Sequence, residues 1–251
     1  MYRYLEEMTL NTWPAIENLI SNGWVIRSSE GFTKRANSVS PLYSSDPVDA
    51  EAQIRFCEKH FTNLEQDTVF KITPYIQPPN LDQILENQGY ALIDKSSVQV
   101  MELAAAPEPA VAAQYEPAIN EAWLEALVYC DGLSETNRSI IRRMLQFSTL
   151  QQGFFIICQD GHPAACGLGV IQNEFVALYD IITHPDYRRR GFGMQIVLNI
   201  LSWAKTEGAT HSCLQVVQQN EAAMRLYGKI GYQEIYPYWY RVKKHSGEAQ
   251  I

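Results

Sequence analysis

The chain has 251 residues, of which 46% are hydrophobic, so it can form one large core or two cores of ordinary size. Its 28 acidic residues outnumber the 20 basic ones. This balance argues against a general nucleic-acid binder and against a binder of anionic membranes, so any cationic site must be local.

Targeting signals and metal motifs are not evident in the sequence. The first ten residues, MYRYLEEMTL, lack the apolar core of a signal peptide, and no apolar stretch of about 18 residues follows. We therefore expect a soluble, cytoplasmic protein. The five cysteines are scattered and lack CxxC spacing, so we expect reduced, mostly buried thiols and no metal site.

The first half of the chain carries strand-like segments and one helix with a strand after it. In chain order these segments are GWVIRSS, FTKRANSVSP, VFKITP and LDQILENQGYALIDKSSVQVMEL. Small residues and three prolines then replace the alternating strand pattern in 103–118, which indicates a boundary. We predict one domain over 1–106, a linker over 107–117 and a second domain over 118–245.

The second domain begins with two helical segments, AINEAWLEALVYC and SETNRSIIRRMLQF. Three strand candidates joined by short turns then predict an antiparallel meander: GFFIICQ, PAACGLGVIQ and FVALYDIIT. A helix over 191–205, a strand HSCLQVV, a helix over 220–230 and a strand with period-two aromatic residues complete the domain. This order predicts an α/β fold with a mixed sheet.

The two halves show a degenerate internal repeat. When Gly89-Tyr90 is set over Gly231-Tyr232, the preceding helix and the following strand of the two halves coincide. The strand VFKITP then falls close to LQVVQ, and the length of this match indicates duplication. Two unrelated α/β domains with a similar order of elements are the alternative.

One short stretch, DYRRRGFGMQ at 186–195, lies between a predicted strand and a predicted helix. An anion at a helix start would use both the arginine charge and the exposed amides beside the glycines. The fingerprints of Rossmann and P-loop nucleotide sites are absent from this stretch. A solvated basic turn at Arg188, Arg189 and Arg190 is the alternative.

A second motif follows at 220–232, NEAAMRLYGKIGY. Together with R-x-x-G-x-G it resembles the motifs of the GNAT superfamily of acyl-CoA-dependent N-acyltransferases, across about residues 118 to 243. The resemblance implies two tandem GNAT-like units. It also implies acetyl-CoA as co-substrate and direct attack by an amine in a ternary complex.

The resemblance also assigns coenzyme-binding residues. The strand end would pair with the pantetheine arm, the loop amides and arginines would bind the pyrophosphate, and an asparagine would bond to the pantetheine. The residues at these positions are Ile181, Ile182, Thr183, Arg188, Arg189, Arg190, Gly191, Phe192, Gly193, Met194 and Asn220. A plain helix N-cap is the alternative, or additional, role of Asn220.

Tyr227 resembles the family tyrosine that donates a hydrogen bond or proton to the departing sulfur, and a core aromatic is its alternative role. The strand position of the glutamate used by some members is Gln215 here, which cannot act as a base. Asp180 is our preferred base, acting directly or through water, against a plain turn carboxylate.

Other candidates for the acceptor side are weaker. Asp131 and Tyr129 lie between the two leading helices, where the family usually shapes the acceptor pocket. His162 and His184 stand in or beside turns, so we expect both to be surface residues.

The first half has lost the coenzyme residues. By the repeat, Asp46, Asp49 and Glu51 stand opposite Arg188, Gly191 and Gly193, and Leu85 stands opposite Tyr227. Carboxylates at a helix start repel a diphosphate, so only the second half should bind coenzyme. We expect TKRANSVSP to form a core-facing polar cluster between the halves or part of the acceptor site.

The sequence therefore predicts an acetyl-CoA-dependent N-acetyltransferase. Its acceptor would be the amine of a small molecule or peptide, with no nucleic-acid or membrane partner, and a homodimer is compatible with the sequence. A non-catalytic acyl-CoA sensor or scaffold is the alternative, and an interaction domain without coenzyme is a third interpretation.

Overall fold

The structure is a computed structural model that describes residues 2–43 and 49–245. Within these residues the α-helices are α1 (Tyr2–Thr12), α2 (Ala50–Asn63), α3 (Leu81–Asn87), α4 (Glu121–Asp131), α5 (Glu135–Leu145), α6 (Phe192–Thr206) and α7 (Glu221–Ile230). The strands are β1 (Glu17–Ser21), β2 (Trp24–Ser28), β3 (Val39–Pro41), β4 (Thr68–Ile72), β5 (Ala91–Glu102), β6 (Gln114–Glu116), β7 (Gln151–Gln159), β8 (His162–Gln172), β9 (Phe175–Thr183), β10 (His211–Val217) and β11 (Gln233–Lys243). The mixed α/β class is confirmed.

Packing divides the chain into two compact units that are not continuous in sequence. The first unit takes residues up to Leu10, then Pro14–Ser96 and the chain from Tyr236, while the second takes Asn11–Trp13 and Ser97–Ile235. The boundary therefore falls within β5 and again within β11. These units differ from the predicted linear domains at 11–13, 97–106 and 236–245. The assignment of one domain as degenerate and the other as catalytic stays a prediction.

The second unit contains a sheet in the order β5-β10-β9-β8-β7-β6. The predicted meander is confirmed, because β7 pairs antiparallel with β8 and β8 pairs antiparallel with β9. The next neighbour, β10, runs parallel to β9. A parallel pair needs a crossover connection, and α6 supplies it.

Two glycines of β8 determine how closely α6 packs on this sheet. A Cβ at Gly167 would lie 2.6 Å from Cγ2 of Ile196, and one at Gly169 would lie 2.6 Å from Cγ2 of Ile200. Both isoleucines are fully buried, so the helix rests on β8 where side chains are missing. This close packing fixes the start of α6 beside the end of β9.

The segment predicted as a linker is partly ordered in the second unit. Residues 114–116 form β6, which pairs with β7. Upstream of it, the amides of Ala110 and Val111 donate to the Gln195 side chain, and that of Ala113 donates to Asn199. These α6 side chains satisfy backbone donors that a free linker would expose to water.

The first unit contains strands in the order β1-β2-β3-β4-β11 around its own apolar core. In its turn region, the buried Asn37 side chain accepts from the amides of Ser29 and Gly31 and donates to the carbonyls of Phe32 and Thr33. Asn37 of TKRANSVSP is thus a buried polar side chain, but its bonds hold a turn of its own unit. A place between the halves or in the acceptor site stays a prediction.

A buried ion pair in the first unit gives a stability prediction. Lys71 Nζ lies 2.6 Å from Glu6, both side chains are at most 5% exposed, and Tyr236 donates to the same carboxylate. Because Lys71→Met would leave a buried carboxylate without its cation, we expect the free energy of unfolding to fall by about 3 kcal/mol. Urea denaturation would measure this change.

The matched control is Lys243→Met, since Lys243 pairs with Glu58 while its side chain is 46% exposed. Exposed ion pairs contribute little, so this variant should lose less than about 1 kcal/mol. Equal losses in the two variants would contradict a special contribution of the buried pair.

Candidate active site

The site begins where β9 and β10 stop pairing. Their parallel register joins Phe175–Leu178 to His211–Leu214, whereas β9 continues to Thr183 and β10 to Val217. Opposite β8, the pairing of β9 shifts between Cys166 and Leu168, so β9 carries an extra residue there. Asp180 lies in this bulge with φ +48°. The strand end at 181–183 is therefore not paired with β10.

A tight loop turns the chain from β9 into α6. Arg188 Nε donates to the carbonyl of Thr183 at 3.3 Å, and Arg189 adopts φ +61°. The Arg190 guanidinium lies over the rings of Tyr187 and Phe192, with distances to the ring centres of 5.2 and 5.6 Å. Arg188 and Arg190 thereby stabilise the loop, in addition to any role toward a ligand.

The start of α6 has the form of an anion site. Gly191 is its N-cap with φ +89° and provides no side-chain cap for the first-turn amides. A Cβ placed on Gly191 would meet no atom within 4 Å, while one on Gly193 would lie 3.0 Å from Thr183 Oγ1. The amides at this helix start thus face open space with little side chain around them.

The second motif forms the start of α7. The Asn220 side chain accepts from the Ala223 amide at 3.1 Å, so the N-cap role is confirmed. Two turns further, Tyr227 is 8% exposed, and its ring meets the ring of Tyr232 edge-on at 5.7 Å. The Tyr232 hydroxyl is 2.6 Å from Ser212 Oγ. Tyr227 is thus a packed side chain with a small accessible part.

These segments surround one cavity of about 800 Å³, which we call the central cavity. That volume lies within the usual range of ligand sites. Among the predicted residues, its lining includes Ile181, Ile182, Thr183, Arg188, Arg189, Gly191, Phe192, Gly193, Met194, Asn220 and Tyr227. Asp131, a weaker candidate from the sequence, also belongs to it, whereas neither Arg190 nor Asp180 does. The other lining residues are Tyr187, Ala222, Ala223, Arg225, Leu226 and Lys229.

The sequence analysis did not predict most of the α7 residues that line the cavity. Ala223, Leu226 and Lys229 follow one another at three-residue spacing, and Ala222 lies four residues before Leu226, which is the spacing of one helix face. That spacing is visible in the sequence, but it is equally typical of a helix face packed on a core.

A family model described as "Probable histone acetyltransferase Rv0428c C-terminal" matches residues 2–241. The chain belongs to this acetyltransferase family. It is also 26% identical over 248 residues to the uncharacterized N-acetyltransferase YobR of Bacillus subtilis, covering 96% of this chain and 98% of that protein.

Solved structures confirm the GNAT fold. A GCN5-related N-acetyltransferase from Kribbella flavida has a TM-score of 0.72 at 16% identity. The match covers 98% of this chain and 96% of the Kribbella chain. A tandem GNAT protein from the clavulanic acid biosynthesis pathway has a TM-score of 0.61 at 12% identity, covering 84% of this chain and 76% of its own. The resemblance inferred from the two motifs is therefore confirmed.

The charges of two candidate carboxylates act on one buried thiol of this GNAT protein. The pKa of Cys166 is raised well above its ordinary value by a hydrogen bond with Cys130 and by burial, and the charges of Asp180 and Asp131 add to the shift. Only Asp131 lines the central cavity, since the partly buried Asp180 lies outside the lining. Gln215, in β10, also lies outside it.

A stack of rings connects the end of α4 to the loop before α6. The Tyr129 ring lies 4.6 Å from the ring of His184 and 5.8 Å from that of His162, with nearly parallel planes. His184 in turn lies 5.7 Å from Tyr187. His162 is exposed as expected, but the His184 side chain is only 16% exposed, so its assignment to the surface was wrong.

Membrane-spanning helices and metal-binding clusters are absent from the described part of the chain. No helix there is long and apolar enough to cross a membrane. Within residues 2–43 and 49–245, no group of three or more His, Cys, Asp or Glu side chains could hold a metal ion.

Proposed function

We propose that this GNAT protein transfers an acetyl group from acetyl-CoA to a primary amine of a small molecule or peptide. The observation that carries the proposal is one cavity that joins an uncapped helix start to Tyr227. The helix start offers donors for an anion, and the tyrosine offers a proton beside it.

The residues at the end of β9 and the start of α6 would hold the coenzyme. First-turn amides of α6 would donate to the pyrophosphate, with Arg188 and Arg189 supplying charge. The edge of 181–183 that is not paired with β10 would bond to the pantetheine arm, and Asn220 would do so beyond its capping bond. Arg190 would act indirectly, because it does not line the cavity itself and packs on Tyr187 and Phe192, which do.

Tyr227 would stabilise negative charge as it develops on the departing sulfur. With ordinary pKa values near 10 for a phenol and 8.5 for a thiol, complete proton transfer is uphill by roughly 2 kcal/mol. A hydrogen bond in the transition state, with transfer completed as the product leaves, is therefore the favoured role. A backbone amide near Ile181 or Ile182 would donate to the oxygen of the attacked carbonyl.

The amine must lose a proton before it attacks. Asp180 remains our proposed base, and it would act through an intervening water because its side chain lies outside the cavity lining. In the transfer the new C–N bond forms, the C–S bond breaks, the amine proton goes to the base and the thiolate gains a proton.

We expect one acetyl-CoA to bind per chain, although the first unit also carries a helix after a strand. In that unit the Asp49 side chain caps α2 by accepting from the Ala52 amide, and Glu51 lies in the first turn. The Asp49 carboxylate occupies the amide donor of Ala52, and both carboxylates repel a diphosphate. We therefore expect no second coenzyme site. Asp46, the third residue of this prediction, lies outside the described residues.

Calorimetric titration with acetyl-CoA would measure this stoichiometry. A fit that needs two sites would contradict the loss of the first site, and no binding at all would overturn the proposed coenzyme. A steady-state assay of thiol release over a panel of amines would then separate an enzyme from a non-catalytic acyl-CoA sensor. Coenzyme binding without turnover on any amine would favour the sensor.

A further inference from the structure

The charges that line the central cavity are unevenly distributed. Arg188, Arg189, Arg225 and Lys229 come from the loop before α6 and from α7, which would hold the coenzyme. Asp131, at the end of α4, is the one acidic residue of the lining within the described chain. The cavity therefore has a cationic side for the diphosphate and one carboxylate that a diphosphate would not approach.

The Asp131 carboxylate is available for a ligand. Within residues 2–43 and 49–245 it forms neither an ion pair nor a hydrogen bond, whereas Glu121 and Glu135, at the starts of α4 and α5, both pair with Arg138. Asp131 is also the last residue of α4, where the helix dipole is negative. The carboxylate and the helix end thus attract the same kind of ligand, a cation.

The end of α4, which carries Asp131, is joined to the coenzyme loop by ring contacts. Tyr129, two residues before Asp131, stacks on His184, and His184 meets Tyr187, which itself lines the cavity. The glycine after Asp131 ends α4 with φ +71°, and its N–H donates a hydrogen bond to the carbonyl of Val128. These contacts hold the backbone of Asp131 at one edge of the cavity, so its carboxylate can reach a group bound there.

We propose that Asp131 binds a second cationic group of the acceptor, so that the substrate class is an amine carrying another positive charge. This inference rests on the proposed function. The attacking nitrogen must be neutral, and a carboxylate beside it would favour its charged, unreactive form. Asp131 therefore suits a cation that does not react, either the far end of a diamine or a basic residue next to a lysine.

The test compares kcat/KM for matched acceptors in wild type and Asp131→Asn. The small acceptors are 1,4-diaminobutane and 1-aminobutane, and the peptides are capped Lys-Arg and capped Lys-norleucine. Wild type should prefer the doubly charged member of at least one pair by about tenfold, and Asp131→Asn should remove that preference while the singly charged acceptor keeps its rate. The pair that shows the preference identifies the source of the amine.

Glu125→Gln is the matched control, because Glu125 is an exposed carboxylate of the same helix that lies outside the cavity lining. It should leave the preference unchanged. If Asp131→Asn lowers kcat/KM equally for both members of each pair, or leaves the preference unchanged, Asp131 does not bind a second cationic group of the acceptor.

A separate measurement keeps the two proposals distinguishable. If wild type binds acetyl-CoA and acetylates no amine, the proposed function fails, and the Asp131 site is then tested by calorimetry with 1,4-diaminobutane and the Lys-Arg peptide in the presence of CoA. Binding that weakens about tenfold in Asp131→Asn would support the cation site. Absence of binding of either probe to wild type would overturn it.

Discussion

Gly191→Asp is expected to weaken acetyl-CoA binding by more than tenfold, which corresponds to more than about 1.4 kcal/mol. Gly191 caps α6 with φ +89° and has no atom within 4 Å of a placed Cβ, so a side chain there would enter the open space before the first-turn amides. An aspartate would bring negative charge to the place proposed for the diphosphate and would accept from the amides itself. Calorimetry with acetyl-CoA measures the change.

The control for this prediction is Gly191→Asn. Asparagine has nearly the same size and tolerates positive φ about as well, so it introduces the same backbone strain without the charge. We expect it to bind acetyl-CoA more tightly than the aspartate variant does. Two folded variants with the affinity of wild type would remove the α6 start from the coenzyme site.

The sequence predicted the elements of the second unit well because their signals are local. Period-two runs separated by short turns specify the meander, and a glycine pair after a strand specifies the uncapped start of α6. Asn220 likewise caps α7 from its own neighbourhood. Each of these features depends on residues within a few positions of one another.

The features that the sequence did not predict depend on residues far apart or on one extra residue. The bulge at Asp180 adds a single residue to β9, and a period-two pattern does not show on which side of it a carboxylate points. The division of β5 between the two units at Ser96 depends on packing with distant parts of the chain, which no local pattern encodes. The Tyr129–His184 stack joins a helix end to a distant loop for the same reason.

Tyr227→Phe should lower kcat by about 100-fold while the dissociation constant of acetyl-CoA changes little. The ring of Tyr227 packs against Tyr232 and would be retained, so the variant removes only the hydroxyl. A group that acts mainly as charge develops on sulfur contributes to the transition state and not to ground-state binding. Steady-state kinetics and calorimetry on the same preparation measure the two quantities.

Tyr232→Phe separates this role from packing. Tyr232 is buried, lies outside the cavity lining and has its hydroxyl 2.6 Å from Ser212 Oγ, so its loss should lower stability by about 1 kcal/mol and leave kcat near that of wild type. If both variants lose the same fraction of kcat, packing of the two rings explains the effect and Tyr227 is not the donor. A large loss of kcat in Tyr227→Phe alone, with coenzyme binding intact, places the proton donor at the cavity face of α7. The Tyr227 hydroxyl is the only group by which the active sites of wild type and Tyr227→Phe differ.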